Sequence, residues 1–163
     1  MGSIQFVEKS FNGNDFYILT VIILSYTMIY FLPRLFKNRF ITFLLLFYGI
    51  TVASLFDNTI GATPFDYYDI LDGPKYTVMD IVAYLIYGPY GYLFIYFHEK
   101  FHVRGKRNIV YIIVWTCIGV LIELLNVKFG VFTYKNGYRW LYSIPIYLYI
   151  QSVLLFMYKY IKH

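Results

Sequence analysis

The sequence predicts an all-α polytopic membrane protein, a bundle of five transmembrane helices with a short extracellular hairpin loop between helices four and five. Three observations predict it. Of 163 residues, 60% are apolar (AVILMFWYC) and 14% charged, whereas soluble domains sit nearer half apolar and a quarter charged. The apolar residues fall into five runs, each close to the ~20 positions a bilayer-crossing helix needs. The basic residues gather in the short segments between those runs, where membrane topology accounts for them. Five spans use about 100 positions and leave roughly 60 for loops and tails, too few for an independent soluble domain. That excludes a soluble enzyme on a single anchor, and nucleic-acid binding is not expected.

The first span is read at Phe16 to Leu32, ended by Pro33, which cannot continue a helix. An acidic and polar start (Glu8, Asp15) precedes it and no small-residue cleavage site follows, so it reads as a span rather than a cleaved leader. Phe40 to Phe56 forms the second. The third, Met79 to Phe97, opens on Thr77-Val78-Met79-Asp80, the pattern of a capping box. Gly88-Pro89-Tyr90-Gly91 interrupts it near its middle; proline there frees a carbonyl one turn earlier and bends the helix. Ile109 to Val127 is the fourth span and Ile144 to Tyr160 the fifth, where Gln151 and Ser152 are suited to interhelical hydrogen bonds. Cys117 is the sole cysteine and lies within the fourth span, so no intramolecular disulfide or cysteine metal cluster can form.

Nine Lys and Arg fall on the side that holds the loops after spans one and three and the C-terminal tail, against five on the other side. The positive-inside rule then places the C-terminus in the cytoplasm and the N-terminus outside the cytoplasmic membrane. Of the two outward loops, Asp57 to Thr77 is acidic (Asp57, Asp66, Asp69, Asp72) and carries Pro64, Gly73 and Pro74, which predicts an irregular, solvated segment. The other, Lys128 to Leu141, contains Asn136-Gly137 between aromatic and β-branched neighbours. That dipeptide accepts positive φ at both positions and predicts a tight hairpin. Its Tyr134, Tyr138 and Trp140 are expected at headgroup level, where amphipathic rings are favoured.

Candidate chemistry is confined to a few residues. Glu123 sits four residues before the end of span four, about 6 Å below the boundary at 1.5 Å per residue. A carboxylate at that depth is costly unless it is paired, protonated or facing a wet cavity. Trp115, Gly119, Glu123 and Asn126 recur at spacings of four, four and three and form one helix stripe, with Gly119 admitting a close neighbour beside the acid. Asp57 closes span two at its C-terminal end, where a negative charge opposes the helix dipole. Asp80 reads first as the capping-box acid. If spans two, three and four are neighbours, Asp57, Asp80 and Glu123 make an outward-facing acidic pocket, with Asn126 and Tyr134 as further binding candidates. Glu123 and Asp57 are the candidates for proton donation, set against a plain reading in which Glu123 bonds a neighbouring helix or Lys128.

His98-Glu99-Lys100-Phe101-His102 matches H-E-x-x-H, a pattern that on a helix puts two histidines on one face beside a glutamate able to activate zinc-bound water. Leu71-Asp72-Gly73 is similar to the aspartate-bearing second motif of intramembrane metalloproteases, but there the aspartate follows the histidines. Here it precedes them by 26 residues, about 39 Å of helix. The only other histidine is His163, so the default for His98, Glu99 and His102 is a basic interfacial loop. No cofactor is implied.

From Thr77 to Ser143 the chain resembles an uncharacterised family of small integral membrane proteins from spore-forming Gram-positive bacteria. The resemblance rests on TVMD, a mid-helix proline and IELLNVKFGVFTYKNGYRWLYS, in which Glu123, Gly130, Tyr134, Asn136, Gly137, Tyr138 and Ser143 occupy the family's acid, glycine, tyrosine, Asn-Gly, aromatic and serine places. Asp80 and Pro89 fit the upstream part, and Tyr138 stands where that family usually has tryptophan. The resemblance implies a five-helix membrane fold and no particular activity. The leading expectation is therefore a non-enzymatic structural or accessory component in contact with the lipid bilayer, other membrane proteins or a lipid-like small molecule. Two alternatives remain: a small-molecule or ion binding or transport protein using the acidic cluster, and a membrane-embedded lipid or isoprenoid enzyme with an intramembrane carboxylate as proton donor.

Overall fold

The computed structural model describes residues 11–62, 64–71 and 77–162. Five helical stretches among them are long and apolar enough to cross a membrane. Helix α1, Gly13–Phe31, starts three residues before the expected position. Asn12 and Asp15 form a reciprocal capping box there, with Asn12 Oδ1 accepting from the Asp15 amide and Asp15 Oδ2 from the Asn12 amide. Leu32 is extended (φ −66°, ψ 139°), the conformation a following proline enforces. Helix α2 spans Arg39–Asp57.

The third span divides. Val78–Ala83 (α3) leads through a 3₁₀ turn at Tyr84–Ile86 into α4, Tyr87–Lys100. The irregularity falls one turn before Pro89, where the proline leaves residue 85 without its helical donor. Helix α5 is Arg107–Lys128 and α6 is Ser143–Lys162.

The chain is not all-α. Tyr68–Ile70 (β1) and Phe132–Tyr134 (β2) form a two-stranded antiparallel sheet, with Tyr68 opposite Tyr134 and Ile70 opposite Phe132. The ladder continues through Leu71 N to Val131 O at 2.8 Å and Lys135 N to Tyr67 O at 2.7 Å. This corrects two expectations. The Asn136-Gly137 turn does form, with both residues at positive φ and Tyr138 N bonded to Lys135 O, but β2 takes its partner from the earlier loop rather than from beyond the turn. The segment after Asp57, read as irregular, supplies that partner. Asp72, Gly73 and Pro74 lie outside the described residues.

α4 is the central helix. Half of the third span is buried, against 6% of α2, so α2 lies at the edge of the bundle while α4 is packed on several sides. α2 crosses α4 backbone to backbone. A Cβ on Gly49 would stand 2.1 Å from the Tyr87 carbonyl oxygen, and one on Gly91 would stand 2.8 Å from that of Leu45. The main core gathers Leu45, Tyr92, Phe94, Ile95, Trp115 and Leu155 around α4, and a smaller one (Ile18, Leu71, Ala83, Ile86, Val131) sits beneath the sheet. Tyr90, Gln151 and Thr116 tie α4, α5 and α6 together. Gln151 Nε2 donates to Tyr90 Oη at 2.7 Å, and Thr116 Oγ1 donates to Gln151 Oε1 at 3.1 Å. Ser152, the other expected bridging residue, is exposed and bonds Leu148 O of its own helix.

Candidate functional site: two carboxylates in a tyrosine cage

At the sheet end of the bundle, the expected stripe on α5 faces inward: Trp115, Gly119, Glu123 and Asn126 are all buried. Gly119 leaves room for Tyr90 and Tyr147, whose nearest atoms would lie 2.9 and 3.4 Å from an added Cβ. Glu123 is 5% exposed. Its Oε1 accepts hydrogen bonds from the Tyr134 hydroxyl and, at 2.7 Å, from Ser143 Oγ. Ser143 in turn shares a 2.9 Å hydrogen bond with Tyr138. Oε2 is enclosed and lacks a partner in good hydrogen-bond geometry, the Tyr147 hydroxyl being the further donor that approaches Glu123. A carboxylate usually collects several donors when buried, so an enclosed oxygen without a well-placed one is unusual.

Asp57 stands within electrostatic reach of Glu123 and accepts a 2.7 Å hydrogen bond from Tyr68. Tyr87 interacts with both carboxylates, and Tyr147 with Glu123. Among the described residues no lysine or arginine pairs with either acid; Lys135 is taken by Asp69 and Asp66, and Lys162 by Glu99. Asn126, 2% exposed, accepts from Tyr17 at 3.1 Å. The pocket's third expected member is engaged elsewhere: Asp80 accepts from the amide and hydroxyl of Thr77, as the capping pattern requires.

The hydroxyls of Tyr134 and Tyr138 turn inward, to Glu123 and Ser143. Burial raises the Tyr134 phenol above its ordinary range, and its hydrogen bond to Glu123 raises it further. Tyr68 is raised first by burial and then by the neighbouring Asp57 charge. Tyr138 is raised by burial, opposed by its bond to Ser143. These three hydroxyls stay protonated donors over the physiological range. Tyr138 is also a wall of a cleft of about 400 Å³, lined further by Ile60, Phe65, Tyr67, Tyr142 and Ile146 and by the Asn136-Gly137 turn. One ring thus separates that cleft from the serine that holds Glu123. Tyr17, Tyr68, Tyr87 and Tyr147 escaped the sequence reading, because nothing in the local pattern distinguishes them from other tyrosines.

The H-E-x-x-H match does not assemble. α4 ends at Lys100, and His102 lies beyond it with φ +48°, so the two histidines share no helix face. His98 Nε2 is bonded to Asn108 Oδ1 at 2.8 Å, and Glu99 is paired with Lys162. No group of three or more His, Cys, Asp or Glu side chains suited to a metal occurs among the described residues; His163 lies outside them. Comparison with family models, curated proteins and solved structures gave no match for this chain.

Proposed function

We propose that this chain is a multi-pass membrane protein that binds a small organic cation at the sheet end of its bundle, as a binding or transport component. The observation that carries the reading is Glu123: a buried carboxylate held only by neutral hydroxyls, with Asp57 in electrostatic reach and, among the described residues, no cationic side chain on either. A buried carboxylate is costly without a counter-charge, and the half-buried Asp57 within its electrostatic reach adds to that cost. Tyrosine ring faces and hydroxyls around them suit an alkylammonium group, which gains from both carboxylate and π-face attraction. The aromatic cleft beside Tyr138 has the volume of a small-molecule site. The charge count of the loops supports an outward position for this end, from which the ligand would arrive.

A second reading is favoured by one specific contact. Glu123 Oε1 clamps β2 to the start of α6 through Tyr134 and Ser143, which suits a structural or accessory component without a ligand. Benzyltrimethylammonium separates the two. Purified protein in dodecylmaltoside is titrated with its chloride, against sodium chloride at matched ionic strength, and melting is followed by tryptophan fluorescence. Cation binding predicts a saturable rise in melting temperature, weakened about tenfold or more in Glu123→Gln and Asp57→Asn, the scale expected when a buried charge partner is lost. A shift no larger than that from sodium, or one that survives both substitutions, would leave only the structural reading.

A further inference from the structure

The opposite end of the bundle holds a second, unrelated pocket of about 350 Å³. His98, Arg104, Gly105, Asn108, Lys159 and Lys162 line it, with Glu99 and His102. Three permanent cations face one permanent anion, and that anion, Glu99, is already paired with Lys162. The N-terminus of α5 opens at Arg107 beside Gly105 and Asn108, so its positive dipole end adds to the same field.

The floor of the pocket carries an unmet polar atom. Asn108 Nδ2 donates to Gly105 O at 2.8 Å, which leaves Asn108 Oδ1 to accept from His98 Nε2 at 2.8 Å. The proton is therefore on Nε2. His98 is 4% exposed and its Nδ1 has no hydrogen bond; the Glu99 carboxylate lies 3.7 Å away, beyond hydrogen-bond reach. With the proton on Nε2, this nitrogen is an acceptor and suits a headgroup hydroxyl, while the cations of the walls suit the phosphate. Exposed apolar residues flank these walls in the chain: Phe101, Ile109 and Ile161.

We propose that this pocket is a phosphate site that seats the headgroup of an anionic phospholipid. Arg104 supplies a planar fork for two phosphate oxygens. Lys159 and Lys162 act as point charges, and the neighbouring apolar residues face the acyl chains. Basic pockets between helices at a membrane surface take such headgroups, and the excess of Lys and Arg at this end puts the site on the cytoplasmic leaflet.

Native mass spectrometry of the protein in dodecylmaltoside tests it, with dioleoylphosphatidylglycerol and dioleoylphosphatidylcholine added separately. Phosphatidylglycerol should be retained in a one-to-one adduct and phosphatidylcholine should not. Arg104→Gln and Lys159→Gln should each weaken retention about fivefold, the effect of one basic residue near a membrane surface. Lys100→Gln removes a charge from the same end but outside the pocket, lying over the Tyr96 ring, and should leave retention unchanged. An equal loss in Lys100→Gln would mean diffuse attraction and would overturn the proposal, as would equal retention of the two lipids. Displacement by inorganic phosphate at the lipid's own concentration would overturn the lipid as the carrier of the phosphate. Melting temperatures within a degree or two of the parent confirm that each variant is folded.

Discussion

Gly49→Ala is the sharpest test of how the bundle is held together. An exposed glycine inside a helix costs about 1 kcal/mol relative to alanine, so intrinsic propensity alone makes the change stabilising. The crossing of α2 over α4 reverses the sign. The new methyl would stand 2.1 Å from the Tyr87 carbonyl oxygen and 2.8 Å from its carbon, where ordinary contact begins at 3.4 Å. Both obstructing atoms are backbone, so no rotamer change relieves the clash, and the helices must part by ~1 Å or more, losing dispersion contacts along the seam. Overpacking of this kind costs about 3 kcal/mol at the upper end of its usual range. Less the propensity gain, about 2 kcal/mol of destabilisation remains, a fall of roughly 4–8 °C in melting temperature for a chain of this length. Thermal unfolding in dodecylmaltoside, followed by circular dichroism, reads it directly. Gly13→Ala is the control, since nothing lies within 4 Å of its added Cβ; it should change stability by less than about 0.5 kcal/mol. A Gly49→Ala protein that melts with or above the parent would refute the backbone crossing.

Two further outcomes follow from the polar contacts. Tyr68, Tyr134 and Tyr138 are raised in the fold from the ordinary phenol value of 10.0. Their stabilising contribution is therefore complete below pH 10 and is lost as pH climbs from there toward the folded values, because the unfolded chain ionises first. The melting temperature should hold to about pH 9.5 and fall beyond, with tyrosinate absorbance from these residues appearing only on unfolding; early titration in the folded protein would contradict their enclosure. Gln151→Leu breaks both arms of the Tyr90–Gln151–Thr116 network and should cost about 1–2 kcal/mol. Ser152→Ala, which loses only a bond within α6, should change stability by less than about 0.5 kcal/mol; equal effects would show that the network is not a stabilising link.

Much of the fold was legible because hydrocarbon imposes a strong rule: only helices that satisfy their own backbone can cross. The five spans, the Pro89 irregularity, the Thr77–Asp80 cap and the inward stripe of α5 all follow from period and punctuation. The same logic misled at the loops. Asn136-Gly137 fixes a turn but not which strand lies beside Phe132–Tyr134, since that partner is 64 residues earlier at Tyr68–Ile70. At the candidate site, Glu123 and Asp57 were legible as acids in costly places, and Asn126 as part of the Glu123 stripe. Tyr134 reads at headgroup level, and its bond to Glu123 was not foreseen. Asp80 serves the capping box with Thr77, as its pattern first indicated.

By itself the sequence determined the number of spans, the stripe bearing Glu123 and an unexplained wealth of 20 tyrosines. Only the tertiary structure decided what those tyrosines do. Tyr17, Tyr48, Tyr68, Tyr90, Tyr111 and Tyr134 each donate a hydroxyl to an acceptor elsewhere in the fold. The physical reason is that a ring is apolar enough to sit among helices, while its single donor reaches only what packing brings within about 3 Å. Hydropathy registers the ring. The direction of the hydroxyl depends on helix neighbours, and no periodicity within one span records those.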